Sequence, residues 1–531
     1  MQKPNFLIIQ ADQVAAQWLP MYGNSVVKMP HLEALAEHGV IFENAYCNSP
    51  LCAPSRFSML SGFLPSKIAA YDNAAEFSSA IPCFTHYLRA LGYRTILSGK
   101  MHFVGPDGLH GFEERLTTDV YPSDYTWTPD WSHPERLLEW YHTMTSVVQA
   151  GPCVASMDID YDDDVAFQTV RKLRAIVRDD DERPFCFFVS FTHPHDPYIM
   201  TDDYWNLYKS DDIPMPKIPV QPFENLDPHS QRLWTMCATD EFEIRPEHIR
   251  TARHGYFASL SYIDDKIGQI VKALKDTNQY DNTVIMFTSD HGDMLGERGL
   301  WYKMSMVDSS ARVPLIIHAP NYFAANKIVL NNMTPRYVPQ VVSLVDVLPT
   351  LLELAGSSAP TCDGESLVPL LNGETANAKD QALVEYLAEG VDRPHLMIRK
   401  GNYKYIFTEG DPELLFDMTL DPDEINNLAD VETEVLESFR ETLRQTWDIE
   451  QLRADVITSQ KQRHVVAKAL AAGKLTAWDF QPFEDASQQY IRNHKEFWEL
   501  LKLSRYPGVE VAKPVKKVQR FVTAVDGDTE V

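Results

Sequence analysis

The chain contains 531 residues, of which 44% are hydrophobic and 23% charged, and its formal net charge is −27. This length predicts one large domain with a smaller one, because it exceeds what one small core accommodates. The acidic balance argues against nucleic acid as a partner, because a phosphate backbone selects basic surfaces.

The cysteines and the hydropathy of the chain predict the cellular compartment of the protein. The seven cysteines are scattered and form no CxxC pair, which favours a reduced environment over a disulfide framework. The early apolar run "FLII" is too short for a signal peptide, and no run of about eighteen apolar residues follows. We therefore expect a cytoplasmic protein with no membrane partner.

Short apolar runs alternate with amphipathic segments over the first two thirds of the chain. In chain order, strands are predicted in "NFLIIQ", "TILSGK", "PFCFFVSFTHPHDPY", "TVIMFTSDHGD" and "VPLIIHAP", and helices in "PHLEALAEHGV", "FTHYLRALGY" and "YFASLSYIDDKIGQIVKALKD". This alternation predicts an α/β fold with a mostly parallel sheet flanked by helices. Such sheets bind ligands at the carboxyl ends of their strands, where we expect Asp12, Lys100, His102, His195, Asp290 and His291.

After about residue 375 the pattern changes. "ALVEYL", "HLMIRKGNYKYIFT" and "PELLFDM" predict antiparallel strands with a turn at Gly401-Asn402, and a helix follows. We predict a catalytic domain over residues 1–375, a smaller α+β subdomain over 376–470 and a tail over 471–531. The aromatic residues of the tail are expected to anchor it on the body or on a neighbouring subunit.

Cys52 lies in "SPLCAPSRFSMLSG", at the start of a predicted helix with Pro54 in its first turn and Gly62 at its end. Backbone N–H groups at a helix start favour an anion, so the position suits a nucleophile that attacks an anionic substrate. Arg56, one turn later, can brace that group. By itself, a cysteine at a helix start is more often structural.

Other polar residues that follow the predicted strands favour a functional site at the ends of those strands. Lys100 and His102 are two apart on an extended segment and therefore share a face. Carboxylates and imidazoles among these residues suit Ca²⁺, Mg²⁺ or Mn²⁺. Besides Lys100 and His102, the polar residues of this group are Asp12, Gln13, His193, His195, Asp290, His291, Asp293 and Lys303.

Several motifs in order resemble those of the type I, formylglycine-dependent sulfatases of the alkaline phosphatase superfamily. They are "CAPSR" with "FSMLSG", "GK" with His102 two residues on, "SDHGDMLGERG" and "LLFDMTLDPDEINNLAD". The match covers most of residues 4–430. Within the family, "YDNAAEF", "SFTHPHDPY" and the tail segment "AWDFQPFEDASQQYIRNH" are most similar to the choline-sulfatase branch.

This resemblance implies hydrolysis of a small sulfate ester, choline-O-sulfate in that branch, to the alcohol and sulfate. It implies that a formylglycine-generating enzyme converts Cys52 to formylglycine (3-oxoalanine), whose hydrate attacks sulfur. It also implies a divalent metal, Ca²⁺ first, on Asp12, Cys52, Asp290 and His291. Many relatives carry an aspartate at Gln13 and an asparagine at His291, so Mn²⁺ and Mg²⁺ stay open.

The resemblance also implies roles for the other catalytic residues. Arg56 would support the hydrate, and Lys100 with Lys303 would neutralise the sulfate oxygens. His102 would steer or deprotonate the hydrate. His195 would donate a proton to the leaving alkoxide, and His193 is a weaker candidate for that role.

The segment "YPSDYTWTPDW" bears on substrate choice. Aromatic faces beside carboxylates bind quaternary ammonium ions, each contact contributing about 0.5–2 kcal/mol, although such aromatics equally suit the packing of a long loop. The resemblance implies that Trp127 faces the trimethylammonium group, while Trp131, Tyr121 and Tyr125 pack. It implies a further lining of Asn73, His142 and Glu385, with Asp479 of the tail as an added partner.

Two alternative functions stay open. A relative of the same fold could act on phosphonate monoesters or phosphodiesters, which Lys100 and His102 disfavour. A non-catalytic protein could bind quaternary ammonium compounds, in which case Cys52 stays a thiol. We expect a homo-oligomer, either a dimer or a tetramer.

Overall fold

The computed structural model describes residues 3–136, 142–326, 328, 336–376, 378–474, 477–483 and 485. Within these ranges the strands are β1 (Asn5–Ala11), β2 (Val40–Tyr46), β3 (Arg94–Gly99), β4 (Glu114–Arg115), β5 (Gly151–Cys153), β6 (Phe185–Phe191), β7 (Ile199–Thr201), β8 (Thr283–Thr288), β9 (Arg312–His318), β10 (Arg336–Ser343), β11 (Gln381–Tyr386), β12 (His395–Lys400), β13 (Tyr403–Thr408) and β14 (Leu414–Asp417).

Helices separate most of these strands. They are α1 (Pro30–Ala36), α2 (Cys52–Ser61), α3 (Phe84–Ala90), α4 (Thr145–Val148), α5 (Met157–Ile176), α6 (Asp202–Trp205), α7 (Pro228–Met236), α8 (Pro246–Asp276), α9 (Asp308–Ala311), α10 (Pro320–Ala325), α11 (Val347–Leu354), α12 (Val368–Asn372), α13 (Thr433–Thr446) and α14 (Ile449–Leu470). In the described ranges, none of them combines the length and apolar character needed to cross a bilayer.

The main sheet has the strand order β10-β2-β9-β8-β1-β6-β3-β4. Its centre, β8-β1-β6-β3, is parallel throughout, whereas β9 runs antiparallel to both neighbours. The central strands are buried along almost their whole length, which explains their continuous apolar sequences. The predicted α/β fold with a mostly parallel sheet is confirmed.

The flanking helices form two packed groups. α1 and α5 pack against α8, while α2, α3 and α11 contact one another. α8 is longer than the helix predicted over residues 256–276, because it begins at Pro246. Proline is well tolerated in a first helical turn, because an N–H at that position would have no hydrogen-bond acceptor within the helix.

The second sheet is antiparallel, with the order β11-β12-β13-β14 and the predicted turn at Gly401-Asn402 between β12 and β13. It is bound to the main body through Asn48, whose Nδ2 donates to Leu383 O at 2.9 Å. Glu385 N donates to Asn48 O, also at 2.9 Å. The domain boundaries at residues 375 and 470 stay predictions.

Candidate active site

The four parallel strands at the centre of the sheet end at a common edge. Ligands of open α/β sheets bind at this edge. The close approach of β3 and β6 there requires glycine, since a Cβ on Gly99 would lie 1.9 Å from Ser190 O. The polar residues that follow β1, β3, β6 and β8 are Asp12, Lys100, His102, His193, His195, Asp290 and His291.

Helix α2 begins at Cys52 against this edge, and Gly62 ends it in a left-handed conformation. Asn73 caps its first turn, because Asn73 Oδ1 accepts the N–H of Ala53 at 3.0 Å. Cys52 Sγ lies 3.2 Å from His291 Nε2. The predicted nucleophile is therefore buried at a helix start beside a predicted metal ligand.

Arg56 is buried between two carboxylates. Its Nη2 lies 2.9 Å from Asp12 Oδ2 and its Nε lies 2.8 Å from Asp290 Oδ2. Lys100 also contacts Asp12, and its Nζ lies 3.7 Å from Cys52 Sγ. The Arg56 guanidinium thus fixes the two acids, and its predicted support of a hydrate stays a prediction.

Asp12, Cys52, Asp290 and His291 bring ligand atoms within 4.8 Å of one another. Asp12 Oδ1 is buried without a hydrogen-bond partner among the described residues. His291 Nδ1 donates to Gly292 O at 3.0 Å, which directs the Nε2 lone pair toward the cluster. Two carboxylates, an imidazole and a Cys52-derived donor fit a divalent cation.

The charges of the site favour anions at Cys52. Burial alone would raise the pKa of the Cys52 thiol, but Lys100, Lys303 and His291 outweigh it and hold that pKa well below its ordinary value. Burial also opposes ionisation of Asp12, yet Lys100 and neighbouring cations lower its pKa. An anionic substrate would meet the same positive field.

Lys303 and His195 face each other across the site, with Lys303 Nζ 2.6 Å from His195 Nε2 and 2.8 Å from Gln13 Oε1. On its other side His195 Nδ1 lies 3.2 Å from Asp196 Oδ1. Burial and Lys303 act to lower the pKa of His195, but Asp196 and the Cys52 sulfur outweigh them, and the pKa is raised. A raised pKa suits a proton donor.

The other predicted histidines have different surroundings. His193 is held away by Asp162, whose Oδ2 lies 2.7 Å from its Nδ1, so it is a packing residue. His102 packs on Tyr121, with ring centroids 4.8 Å apart. His142 Nδ1 lies 3.4 Å from Asp196 Oδ2, and burial lowers the pKa of His142 to about 4.

Tyr121 was predicted to pack, but it also contacts Lys100 and His195. Lys100 Nζ lies 4.3 Å from its ring centroid, and its hydroxyl lies 3.4 Å from His195 Nε2. The half-buried Trp127 ring lies 5.2 Å from that of Tyr121. These two rings form an aromatic wall beside Lys100 and His195, which are called the Lys100 and His195 cluster below.

Tyr125 and Trp131 pack, as predicted. The Tyr125 hydroxyl donates to Glu76 Oε2 at 2.6 Å, and Trp131 Nε1 donates to Ala388 O at 2.8 Å. Asp479, in the tail, contacts the loop of Tyr125 and Trp131 within one chain, because Ser123 Oγ donates to Asp479 Oδ1 at 3.1 Å. The predicted contact of the tail with a neighbouring subunit concerns mostly residues outside the described ranges.

Glu385 has its carboxylate engaged away from the cluster. It accepts from Ser66 N and Ser66 Oγ at 2.7 Å each and from Trp447 Nε1 at 2.6 Å. These bonds join the second sheet to the body and α13, so Glu385 as a substrate ligand stays a prediction with no supporting contact.

Glu389, four residues later, was missed by the sequence analysis. It is 5% exposed, and neither of its carboxylate oxygens has a hydrogen-bond partner among the described residues. Burial and the charge of Asp72 raise its pKa to about 8, while Arg463 and Lys303 oppose the shift. A buried carboxyl that has no hydrogen-bond or ion-pair partner in the part of the chain that the structure describes suits a cationic ligand.

Three family models match the chain. The sulfatase model covers residues 4–357, the model described as N-sulphoglucosamine sulphohydrolase, C-terminal, covers 296–451, and the model described as choline sulfatase enzyme C terminal covers 454–506. Their order along the chain is that of a catalytic body followed by C-terminal elements.

Among solved structures, the phosphonate monoester hydrolase of Agrobacterium radiobacter aligns with a TM-score of 0.67 at 24% identity, covering 86% of this chain and 96% of that one. A 2-O GAG sulfatase, BT1596, aligns with a TM-score of 0.64 at 24% identity, covering 90% and 95%. At this identity the likeness shows the fold.

Sequence relatives extend the match. A choline-sulfatase of Rhizobium meliloti is 45% identical over 518 residues, which cover 95% of this chain and 99% of that protein. An arylsulfatase K of Xenopus laevis is 28% identical and covers 93% of this chain and 94% of its own length. The chain belongs to the sulfatase family, and it is a sulfuric ester hydrolase.

Proposed function

We propose that this enzyme hydrolyses choline-O-sulfate to choline and sulfate. The observation that carries the proposal is the aromatic wall of Tyr121 and Trp127, which adjoins Lys100 and His195. The unpartnered carboxyl of Glu389 follows Ala388, whose carbonyl accepts from Trp131 Nε1 of the same loop. One region would thus hold a sulfate and the other a quaternary ammonium group. The 45% identity to the Rhizobium choline-sulfatase supports the same substrate.

In the proposed reaction Cys52 acts as formylglycine, made from the thiol by a formylglycine-generating enzyme. One hydroxyl of its hydrate loses its proton to solvent and attacks sulfur, the sulfur–oxygen bond to choline breaks, and the alkoxide takes a proton from His195. The second hydroxyl then loses its proton toward His102. The carbon–oxygen bond to sulfate breaks, which releases sulfate and restores the aldehyde, and water then adds to the aldehyde to form the hydrate again.

The other residues of the cluster would act electrostatically. Lys100 and Lys303 would neutralise the sulfuryl oxygens, and Arg56 would keep Asp12 and Asp290 in place. Those two acids, His291 and the residue made from Cys52 would hold the metal. When bound, a divalent cation supplies Lewis-acid polarisation.

Metal removal gives one test. Dialysis against EDTA is expected to lower activity at least about 100-fold and to release close to one divalent ion per chain. Ca²⁺ is the first metal to restore activity in this proposal, with Mn²⁺ or Mg²⁺ as alternatives because His291 supplies nitrogen. His291→Asn should shift the restoring preference toward Ca²⁺. Full activity in metal-free protein, checked by elemental analysis, would contradict the proposed site.

Trp127 tests the substrate. Trp127→Ala is expected to lower kcat/KM for choline-O-sulfate by about 10-fold, the upper part of the range for one cation–π contact, and to leave 4-nitrophenyl sulfate nearly unaffected. Trp205→Ala serves as a control, because Trp205 is half-buried and stacks on His254 at 4.0 Å. Equal losses on both substrates would assign Trp127 a packing role instead.

Glu389 predicts a pH dependence. Since burial raises its pKa to about 8, the carboxyl is largely neutral at pH 7 in the free enzyme and becomes an anion as pH rises through 8. The KM for choline-O-sulfate should therefore fall over that interval, and Glu389→Gln should abolish the change. Asp124→Asn is the control, because Asp124 is a carboxylate on the loop that carries Trp127 and its Oδ1 accepts the N–H of Thr126. A fall in KM that persists in Glu389→Gln would exclude Glu389 as its source.

The alternatives give different results. Faster turnover of a phenyl phosphonate ester than of any sulfate ester would favour the phosphonate monoester hydrolase. An unmodified Cys52 peptide, with choline-O-sulfate bound but not hydrolysed, would favour a binding protein. A cytoplasmic homo-oligomer, as a dimer or tetramer, completes the proposal, and sedimentation of the purified protein measures that state.

A further inference from the structure

The C-terminal helix α14 lies against residues 121–131, here called the substrate loop, which carries Tyr121 and Trp127. Three side chains of α14 contact the loop. Gln460 Oε1 accepts the N–H of Trp131 at 2.8 Å, and His464 Nε2 lies 3.0 Å from Pro129 O. Arg463 Nη1 donates to Thr128 Oγ1 at 3.3 Å.

Arg463 also joins the loop to the helix of the nucleophile. Its Nη1 and Nη2 lie 2.6 and 2.7 Å from the two carboxylate oxygens of Asp72. Arg463 is 5% exposed and Asp72 is fully buried. The next residue, Asn73, caps α2 one residue beyond Cys52. A single guanidinium therefore ties the substrate loop to the start of α2.

The loop needs such external support. Residues 121–131 form neither helix nor strand, so no ladder of backbone hydrogen bonds holds Trp127 in place. The planar fork of arginine bonds two carboxylate oxygens and a hydroxyl at once, which a lysine ammonium cannot do in the same geometry. Part of the bonding that holds the loop around Trp127 thus comes from residues more than 300 positions later in the chain, beside the bonds of Tyr125 to Glu76 and of Trp131 to Ala388.

We propose that α14 determines substrate specificity by positioning the substrate loop, with Arg463 as its principal positioning residue. Arg463 touches neither the metal-ligand cluster nor the Lys100 and His195 cluster in any contact described above. It acts through Thr128 and Asp72. The inference rests on the proposed function for the identity of the bound cation, whereas the fixation of the loop by α14 is independent of it.

The test compares two variants with a control on the same helix. Arg463→Lys retains the charge and loses the fork, and Gln460→Met removes the acceptor of the Trp131 N–H while keeping the volume. Lys461→Gln is the control, because Lys461 is exposed on α14. Each protein is examined by hydrogen exchange of loop peptides and by kinetics on choline-O-sulfate and 4-nitrophenyl sulfate.

We expect faster exchange across the substrate loop in Arg463→Lys and Gln460→Met, with exchange in β1 and β8 unchanged. In Arg463→Lys, KM for choline-O-sulfate should rise about tenfold, while kcat/KM for 4-nitrophenyl sulfate stays within about twofold. In Gln460→Met, the KM for choline-O-sulfate should also rise, by a smaller factor. This variant still tests the inference if Arg463→Lys does not fold.

Two results would overturn the inference. Unchanged loop exchange in both folded variants would show that α14 does not hold the loop. Faster exchange with equal losses on the two substrates would show that the loop is held but does not set specificity. If wild-type enzyme itself shows no preference for choline-O-sulfate, the proposed function fails, while the exchange measurement still decides whether α14 fixes the loop.

Discussion

Cys52→Ala is expected to lower the release of sulfate from choline-O-sulfate by at least about 10⁴-fold, as removal of a nucleophile does. Alanine leaves the cationic side chains of Lys100 and Lys303 in place but provides no oxygen to attack sulfur. Binding should survive, and the dissociation constant for choline-O-sulfate should remain close to the wild-type KM. The measurement is inorganic sulfate formed by metal-loaded protein with verified modification in the wild type.

Cys52→Ser separates attack from release. A serine hydroxyl can take the sulfuryl group, but it lacks the second hydroxyl whose ionisation expels sulfate from a formylglycine hydrate. One equivalent of choline per chain should therefore appear without turnover, and intact mass should show one added sulfuryl group. Cys362→Ala is the control, since Cys362 is half-buried elsewhere and forms no disulfide. Undiminished turnover in Cys52→Ala would contradict the nucleophile outright.

The central part of the candidate site could be predicted from the sequence because its residues follow strands of the parallel sheet. Asp12, Lys100 and Asp290 each come directly after or close to the end of a buried apolar run, and parallel strands bring those ends to one edge of the sheet. Cys52 carries a local signal of its own, a helix start followed by Pro54 and Gly62. Local patterns therefore sufficed for residues attached to strands and helix starts.

Residues whose partners come from distant parts of the chain could not be assigned in this way. Glu385 and Glu389 occur four apart in "VEYLAEG", and nothing in those letters tells which carboxyl is bonded and which is left open. Ser66 and Trp447 decide it, because they occupy Glu385 from distant parts of the chain. Tyr121 is a similar case, since its contact with Lys100 depends on the path of an irregular loop.

His195 provides the second large effect. His195→Gln is expected to lower kcat/KM for choline-O-sulfate by about 10²–10⁴-fold, the range for loss of a general acid. A choline alkoxide is a poor leaving group that needs a proton, whereas 4-nitrophenolate leaves readily without one. The loss on 4-nitrophenyl sulfate should consequently be much smaller. The measurement is the slope of log kcat/KM against leaving-group pKa, which should steepen in the variant.

His193→Gln is the matched control, because His193 is hydrogen-bonded to Asp162. This substitution should change the rates without changing the slope of log kcat/KM against leaving-group pKa. The pH profile gives an independent check. Since His195 must carry a proton to donate one, wild-type activity at saturating choline-O-sulfate should be retained below the pKa of His195 and decline as pH rises through it. His195→Gln should lack this decline. An unchanged slope with an equal loss on alkyl and aryl sulfates would mean that His195 orders the site without donating the proton.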